Sequence, residues 1–208
     1  MNPTIRHMTH IHNLLLILQQ DGIWCDRQAG ERGLTQQDIG HVKLKTSRSR
    51  KPVKVGPGGF LCDYVPFYFA YRTPMLSAIH NRTVAGYSGG QEEVIYLVTK
   101  TDDIQQAGLP FVFTNGHAAV EISRQFTELD DLTEIDWEMI REKYWTDTDD
   151  DNDRKRRKQA EFLVHEFLPW PLIRGIAVQT QPMADQVSVL LQGQAHPPPV
   201  RVMPAWYF

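Results

Sequence analysis

A glutamate stands in the middle of a run of strand-forming residues, "RKQAEFLVHEF" at 157–167, with Ala160 before it and Phe162, Leu163 and Val164 after it. Side chains alternate along a strand, so Glu161, Leu163 and His165 share one face, and Ala160, Phe162 and Val164 share the other. A carboxylate is rarely taken out of water without a partner. One reading makes Glu161 a rim carboxylate, or the partner of an arginine on the next strand. The other puts it on the floor of a cleft, where it can accept a hydrogen bond from a sugar hydroxyl or stabilise a cationic sugar centre.

A second polar group, His7, Thr9, His10, His12 and Asn13, falls at a strand–helix junction. The spacing of its histidines matches no zinc site, and no thiol or carboxylate lies nearby, so no metal is expected. Solvent-facing side chains at a helix start would explain the cluster. So would a ligand gripped at a helix N-terminus, where free N–H groups suit an amide or a phosphate. From His41 to Lys54 the chain carries Lys43, Lys45, Arg48, Arg50, Lys51 and Lys54 and no acid. Such a run is ordinarily solvated surface. Beside the aromatic stretch Tyr64–Tyr71 it also has the composition of a groove that tracks phosphates and stacks bases of a single strand. His117, in "FTNGHA", sits in a turn after a strand, either exposed to water or carried on a substrate-contacting loop.

The elements that must position these residues can be read from periodicity and punctuation. "TIRHMTH" reads as a strand running into a helix with Thr9 as its cap, Ile11, Leu14, Leu15 and Leu18 on one face, and Gly22 as its stop. Residues 26–58 are polar and basic, end in "GPGG", and read as a mobile loop. Strands are expected at 63–71, 93–99, 109–114, in "AEFLVHEF", in "LIRGIAV" and in "VRVMPAWYF". Helices are expected from Pro74, over "TDDIQQAG" with Thr101 as cap, over 136–145 with Trp137, Ile140 and Tyr144 inward, and over "MADQVSVLLQG". The connector "TDTDDDNDRKRRK" flips its charge midway and reads as exposed. Strands outnumber long helices without a regular alternation, which argues for an α+β class with helices flanking a mostly antiparallel or split sheet.

With 208 residues, 41% hydrophobic and 23% charged, the chain suits one globular domain spanning 1–208. A net charge of −3 gives no global hint of a nucleic-acid partner, so any such site must be local. Cys25 and Cys62 belong to no metal or redox motif and are expected to be buried, inert thiols. "LLLIL" is too short to span a membrane and lacks signal-peptide flanks, so a bacterial cytoplasmic protein is expected.

"HMTHIHN", the arginine-bearing basic run, "GGFLCDYVPFYFAYRTPML", "GGQEEVIYLV", "GLPFVFTNGHA", "IDWEMI" and "KQAEFLV" occur in this order from about His7 to the last strand. Together they resemble the DarT family of DNA ADP-ribosyltransferase toxins, which work with macrodomain antitoxins. The resemblance implies an ADP-ribosyltransferase-like fold, a split sheet around an NAD cleft, with segment 26–58 over the active site. It implies NAD⁺ as co-substrate, single-stranded DNA as partner, and transfer of ADP-ribose to a base, with the thymine ring nitrogen as the expected acceptor. The alternatives are the same chemistry on RNA or protein, NAD⁺ hydrolysis without a macromolecular acceptor, or a non-catalytic single-strand DNA-binding module.

By the same resemblance the catalytic glutamate falls on Glu161. The reactive-loop arginine falls on Arg48, with Arg50 as its competitor. His7, Thr9 and Asn13 match positions around nicotinamide and its ribose, and His117 a position near the acceptor base. Tyr68, Tyr71, Arg72 and Met75 belong to the block that shapes the pocket. Tyr68 is assigned to NAD⁺, and Tyr71, Arg72 and Met75 join Arg50, Lys51 and Lys54 on the DNA side. An arginine is implausible as a general base because its pKa lies above ~12, so its expected role is to stabilise a developing anion or a phosphate while His117 takes the proton. Glu161→Ala is expected to abolish transfer yet leave the NAD⁺ dissociation constant within about an order of magnitude, measured by titration calorimetry. Near-normal turnover in that variant would remove Glu161 from the chemistry.

Overall fold

The computed structural model describes residues 1–40 and 42–208, with Val42 and Lys43 described by their backbone alone, so His41 and the Lys43 side chain of the basic run lie outside the described residues. Along the chain run β1 (Thr4–His10), α1 (Leu14–Gln19), β2 (Gly22–Trp24), α2 (Asp26–Glu31), α3 (Val42–Arg48), β3 (Tyr64–Tyr68), α4 (Pro74–His80) and β4 (Val94–Lys100). They are followed by α5 (Thr101–Gln106), β5 (Phe111–Thr114), β6 (Gln125–Phe126), α6 (Trp137–Arg141), α7 (Arg154–Lys158) and β7 (Glu161–His165). The last elements are β8 (Phe167–Pro169), β9 (Gly175–Val178), α8 (Gln181–Leu190) and β10 (Val200–Val202).

The main sheet has the order β10-β9-β4-β1-β3-β7-β5-β6, and β2 pairs with β8 in a small second sheet. Among the described residues every pairing is antiparallel except β10 with β9. The sheet is split at its centre. β1 runs beside β4 from Thr4↔Lys100 to His10↔Val94, but it meets β3 only at Arg6↔Tyr68. A cause is written in β3. Pro66 has no N–H to offer the ladder, and its carbonyl is taken instead by the His7 side chain, with Nδ1 at 2.8 Å. Beyond Arg6 the two strands diverge, and the cleft opens between them.

β7 is packed on both faces. Phe162 and Val164 join Val65, Phe67, Phe111 and Phe113 in the larger core, while Leu163 packs with Tyr64, Val112, Leu61 and Ala118 on the opposite side. Phe162 stacks on Phe111 with ring centroids 4.8 Å apart. Gly22 lets β2 reach β8, because a Cβ there would stand 2.3 Å from the Leu168 carbonyl oxygen.

Several local expectations need correction. Thr9 is a strand residue, and His10 caps the following turn by accepting the His12 N–H. Ile17 rather than Leu15 completes the buried face of α1, and Leu15 is exposed. Lys100, not Thr101, precedes α5 as its cap residue. Residues 26–58 hold two short helices, and the basic run supplies α3. α6 stops at Arg141 and leaves Tyr144 exposed, because the buried Lys158 ammonium captures the carbonyls of Ile140 and Glu142 at 2.9 and 2.5 Å.

The charged connector also folds back on itself. Asp153 holds Arg156, Arg157 pairs with Asp151 inside the connector and with Asp136 outside it, and Asp147 accepts the Lys155 backbone N–H. Cys25 and Cys62 are buried and unbridged.

Burial lowers the Lys158 amine from 10.5 to about 8. The folded state therefore holds fewer protons than the unfolded one between those values, and this group makes stability rise with pH across that window. Lys158→Met is expected to abolish this contribution. The difference in melting temperature between the two proteins should then shift in favour of the wild type from about pH 8 to about pH 10. A difference independent of pH would contradict the burial of a charged amine.

Candidate functional site

The split between β1 and β3 opens into a cleft of about 600 Å³. Its floor carries His7 and Thr9 from β1, Tyr68 from β3 and Glu161 from the start of β7. Over it lie residues of 34–40 and of α3, including Asp38, Lys45 and Arg48, and one end is lined by Leu16, Gln20 and Trp24.

Glu161 is 1% exposed, and both its oxygens are engaged. Oε2 accepts from Arg48 Nη1 at 2.8 Å, and Oε1 accepts from the Ala118 N–H at 2.9 Å. The Glu161 N–H itself donates to Thr114 Oγ1, whose hydroxyl donates to the Gly116 carbonyl. The strand and the 115–119 turn are thus tied together at the carboxylate. His117 Nδ1 lies 4.0 Å from Oε1 and accepts the Ala119 N–H at 3.1 Å. In the neutral ring the proton therefore sits on Nε2. Burial pushes the His117 pKa below its ordinary value against the opposing pull of Glu161, which keeps the ring neutral at pH 7.

Arg48 is buried at the end of α3, and its Nη2 has no partner among the described residues. Burial works against its charge, but Glu161 together with Asp26 and Tyr68 outweighs this, and the net effect raises its pKa. A buried guanidinium N–H without an acceptor is costly, so this atom marks a place for a ligand oxygen. Arg50, by contrast, is exposed and outside the cleft lining. Lys51 and Lys54 are also outside that lining, and the backbone N–H of Lys54 donates to Gln125 Oε1.

On the other wall, His7 gives its Nδ1 hydrogen to Pro66 and keeps an acceptor lone pair on Nε2. Burial lowers its pKa, which holds it neutral. Asn13 is spent on structure. Its Oδ1 accepts the N–H groups of Gln36 and Gln37, and its Nδ2 donates to Gln37 O and Thr9 Oγ1. It clamps the 34–40 segment over the cleft, with every hydrogen-bonding position filled. Tyr68 stands opposite Glu161 in the β3–β7 register, with its hydroxyl 3.8 Å from Met75 Sδ. Burial first, and then Glu161, raise its pKa.

Met75 lines the cleft, but Tyr71 and Arg72 do not. The Tyr71 ring is stacked on Trp206, 5.9 Å away and 10° from parallel, and Arg72 donates to the Tyr207 carbonyl. Their work is to hold the 204–208 segment. The sequence reading missed Gln159, which lines the cleft from the C-cap of α7, two residues before Glu161. It also missed the Ala118 N–H, which no side-chain type could have signalled.

A family model described as ssDNA thymidine ADP-ribosyltransferase, DarT, matches residues 6–208. The chain belongs to the DarT family. It is 40% identical over 209 residues to a Thermus sp. (strain 2.9) protein named DNA ADP-ribosyl transferase, covering 99% of this chain and 97% of that one. The solved structure of Thermus sp. 2.9 DarT in complex with ADP-ribosylated ssDNA superposes with a TM-score of 0.92 at 39% identity, covering 99% of this chain and 96% of that one. The same DarT in complex with NAD⁺ gives a TM-score of 0.89 at 39% identity, over 99% and 97% of the two chains. The α+β class with a large, mostly antiparallel sheet is therefore that of the DarT fold. Among the described residues no helix is long and apolar enough to cross a membrane, and no group of three or more His, Cys, Asp or Glu could hold a metal ion.

Asn13→Ala leaves two backbone N–H groups of the 34–40 segment without their acceptor, at a cost of about 1–3 kcal/mol. The dissociation constant for NAD⁺ is expected to rise about tenfold or more, with secondary structure intact by circular dichroism. Unchanged affinity would mean that this clamp does not shape the cleft.

Proposed function

We propose that this chain transfers ADP-ribose from NAD⁺ to the ring nitrogen of a thymine in single-stranded DNA, and acts as the toxin of a toxin–antitoxin pair in the bacterial cytoplasm. The observation that carries the reading is the Glu161 carboxylate, fixed on the cleft floor by Arg48 and the Ala118 N–H. Family membership over residues 6–208 supports it. A macrodomain antitoxin as neutralising partner follows from the same family reading.

As the nicotinamide–ribose bond breaks, positive charge grows on the sugar, and a pre-placed carboxylate lowers the barrier without having to reorganise. Glu161 does this and orients a ribose hydroxyl. His7, through its free Nε2, and Thr9 hold the nicotinamide ribose, and Tyr68 packs against the donor. The vacant Nη2 of Arg48 takes an oxygen of the acceptor base or of a phosphate. His117 acts as a donor through Nε2–H rather than as a base, because its Nδ1 lone pair is already committed to Ala119. The thymine proton then leaves late, once the forming N–C bond has made the ring cationic, and the nearby carboxylate can accept it. Arg50, Lys51 and Lys54 lie outside the cleft, where they can meet the DNA backbone. Residues 34–40 and α3 of segment 26–58, which already lie over the cleft, cover both substrates when they are bound.

Mass spectrometry of a thymine-containing single-stranded oligonucleotide after incubation with NAD⁺ tests the reading. The expected product carries one added ADP-ribose on thymine, and a thymine-free oligonucleotide is unmodified. NAD⁺ consumption without a labelled strand, or labelling of RNA or protein in its place, would overturn it.

A further inference from the structure

We propose that Arg156 is a positioning residue for this reaction, stapling the 115–123 turn to α7 so that the Ala118 N–H and His117 stay registered on Glu161. The inference rests on the site reading given above. The Arg156 guanidinium is aimed by Asp153, which takes Nε at 2.7 Å and Nη2 at 2.6 Å as a fork. This leaves Nη1 pointing into the turn, at 3.2 Å from Ser123 Oγ and 3.4 Å from the Asn115 carbonyl. The backbone carbonyl of Arg156 accepts the His117 N–H at 2.9 Å. One residue therefore holds both ends of the turn and His117 between them.

The next N–H along that turn, at Ala118, is the one bonded to Glu161. The chain also runs directly from Arg156 through Arg157, Lys158, Gln159 and Ala160 into the glutamate. Arg156 does not line the cleft, so it acts through others rather than on substrate.

Gly116 supplies the second observation. A Cβ on it would stand 2.1 Å from Arg156 Nη1 and 2.9 Å from Cζ, so alanine there has to displace a guanidinium that Asp153 already holds by two bonds. An ordinary surface ion pair with Asp153 would not require the glycine. Its backbone is not left-handed, so alanine there meets the arginine but no backbone strain.

The test is a double-mutant cycle on the full chain with Arg156→Ala, Gly116→Ala and the pair, scored by transfer to a thymine-containing oligonucleotide. Each single variant is expected to lose about a hundredfold in kcat, as a displacement of about 1 Å at a reacting group does, while KM for NAD⁺ stays within about threefold. The two losses should not multiply, because removing the arginine also removes the clash. Arg156→Lys, which lacks the fork and Nη1, is run beside Arg156→Ala as a less drastic background for the same comparison. Wild-type transfer, measured alongside, tests the site reading by itself. Given active wild type, Arg156→Ala or Arg156→Lys with more than about a third of wild-type kcat, or multiplying losses in the cycle, would overturn the staple.

Discussion

A carboxylate that is almost wholly removed from water has to have its charge met on each side, and the architecture around Glu161 follows from meeting it. Arg48 supplies the counter-charge from the end of α3, and the Ala118 N–H supplies a fixed dipole from the turn after β5. Removing one member of a buried pair of this kind costs on the order of 3–5 kcal/mol, because the other is left uncompensated. The pair therefore ties two segments far apart in sequence to one strand. It also leaves one Arg48 guanidinium nitrogen on the cleft lining without a partner among the described residues. The unmet hydrogen bond is a local cost that a ligand oxygen would relieve.

The second constraint is the opening itself. A sheet with continuous ladders has no room for a dinucleotide. Pro66 interrupts the ladder on the β1 side, and the His7 side chain closes the one carbonyl that would otherwise be stranded. The same imidazole is thereby fixed in its tautomer, with an acceptor atom left free. Asn13 does comparable work, with one hydrogen bond to Thr9 and three to the backbone of Gln36 and Gln37 that convert a polar segment into a fixed wall of the cleft. Both side chains shape the site through hydrogen bonds to backbone, which rigid elements hold to the tolerance that chemistry needs.

Much of this was legible in the residues. The alternation around Glu161 told which face it occupied, and the apolar neighbours on the other face are indeed in the core. A helix was expected from Pro74, and α4 starts there, capped by the Thr73 side chain. What periodicity misjudged were segments decided by distant partners. The extent of α6 depends on Lys158, and the 147–158 connector is compact because Arg156 and Arg157 meet acids within it and at Asp136. Tyr71 and Arg72 look like ligand contacts in a motif, yet their ring face and donor are taken by Trp206 and Tyr207.

The family, the α+β class and the face of β7 that carries Glu161 could be read from the residues alone, because these are written in local pattern and in the order of the blocks. It took the folded chain to separate Arg48, the last residue of α3, which reaches Glu161, from Arg50, which lies exposed in the turn just beyond that helix. The folded chain alone decided that His117 offers a hydrogen rather than a lone pair, because that depends on which backbone N–H its other nitrogen meets. Residue type sets what a group can do. The hydrogen bonds around it, which join residues far apart in the chain, set which of those things is left for it to do.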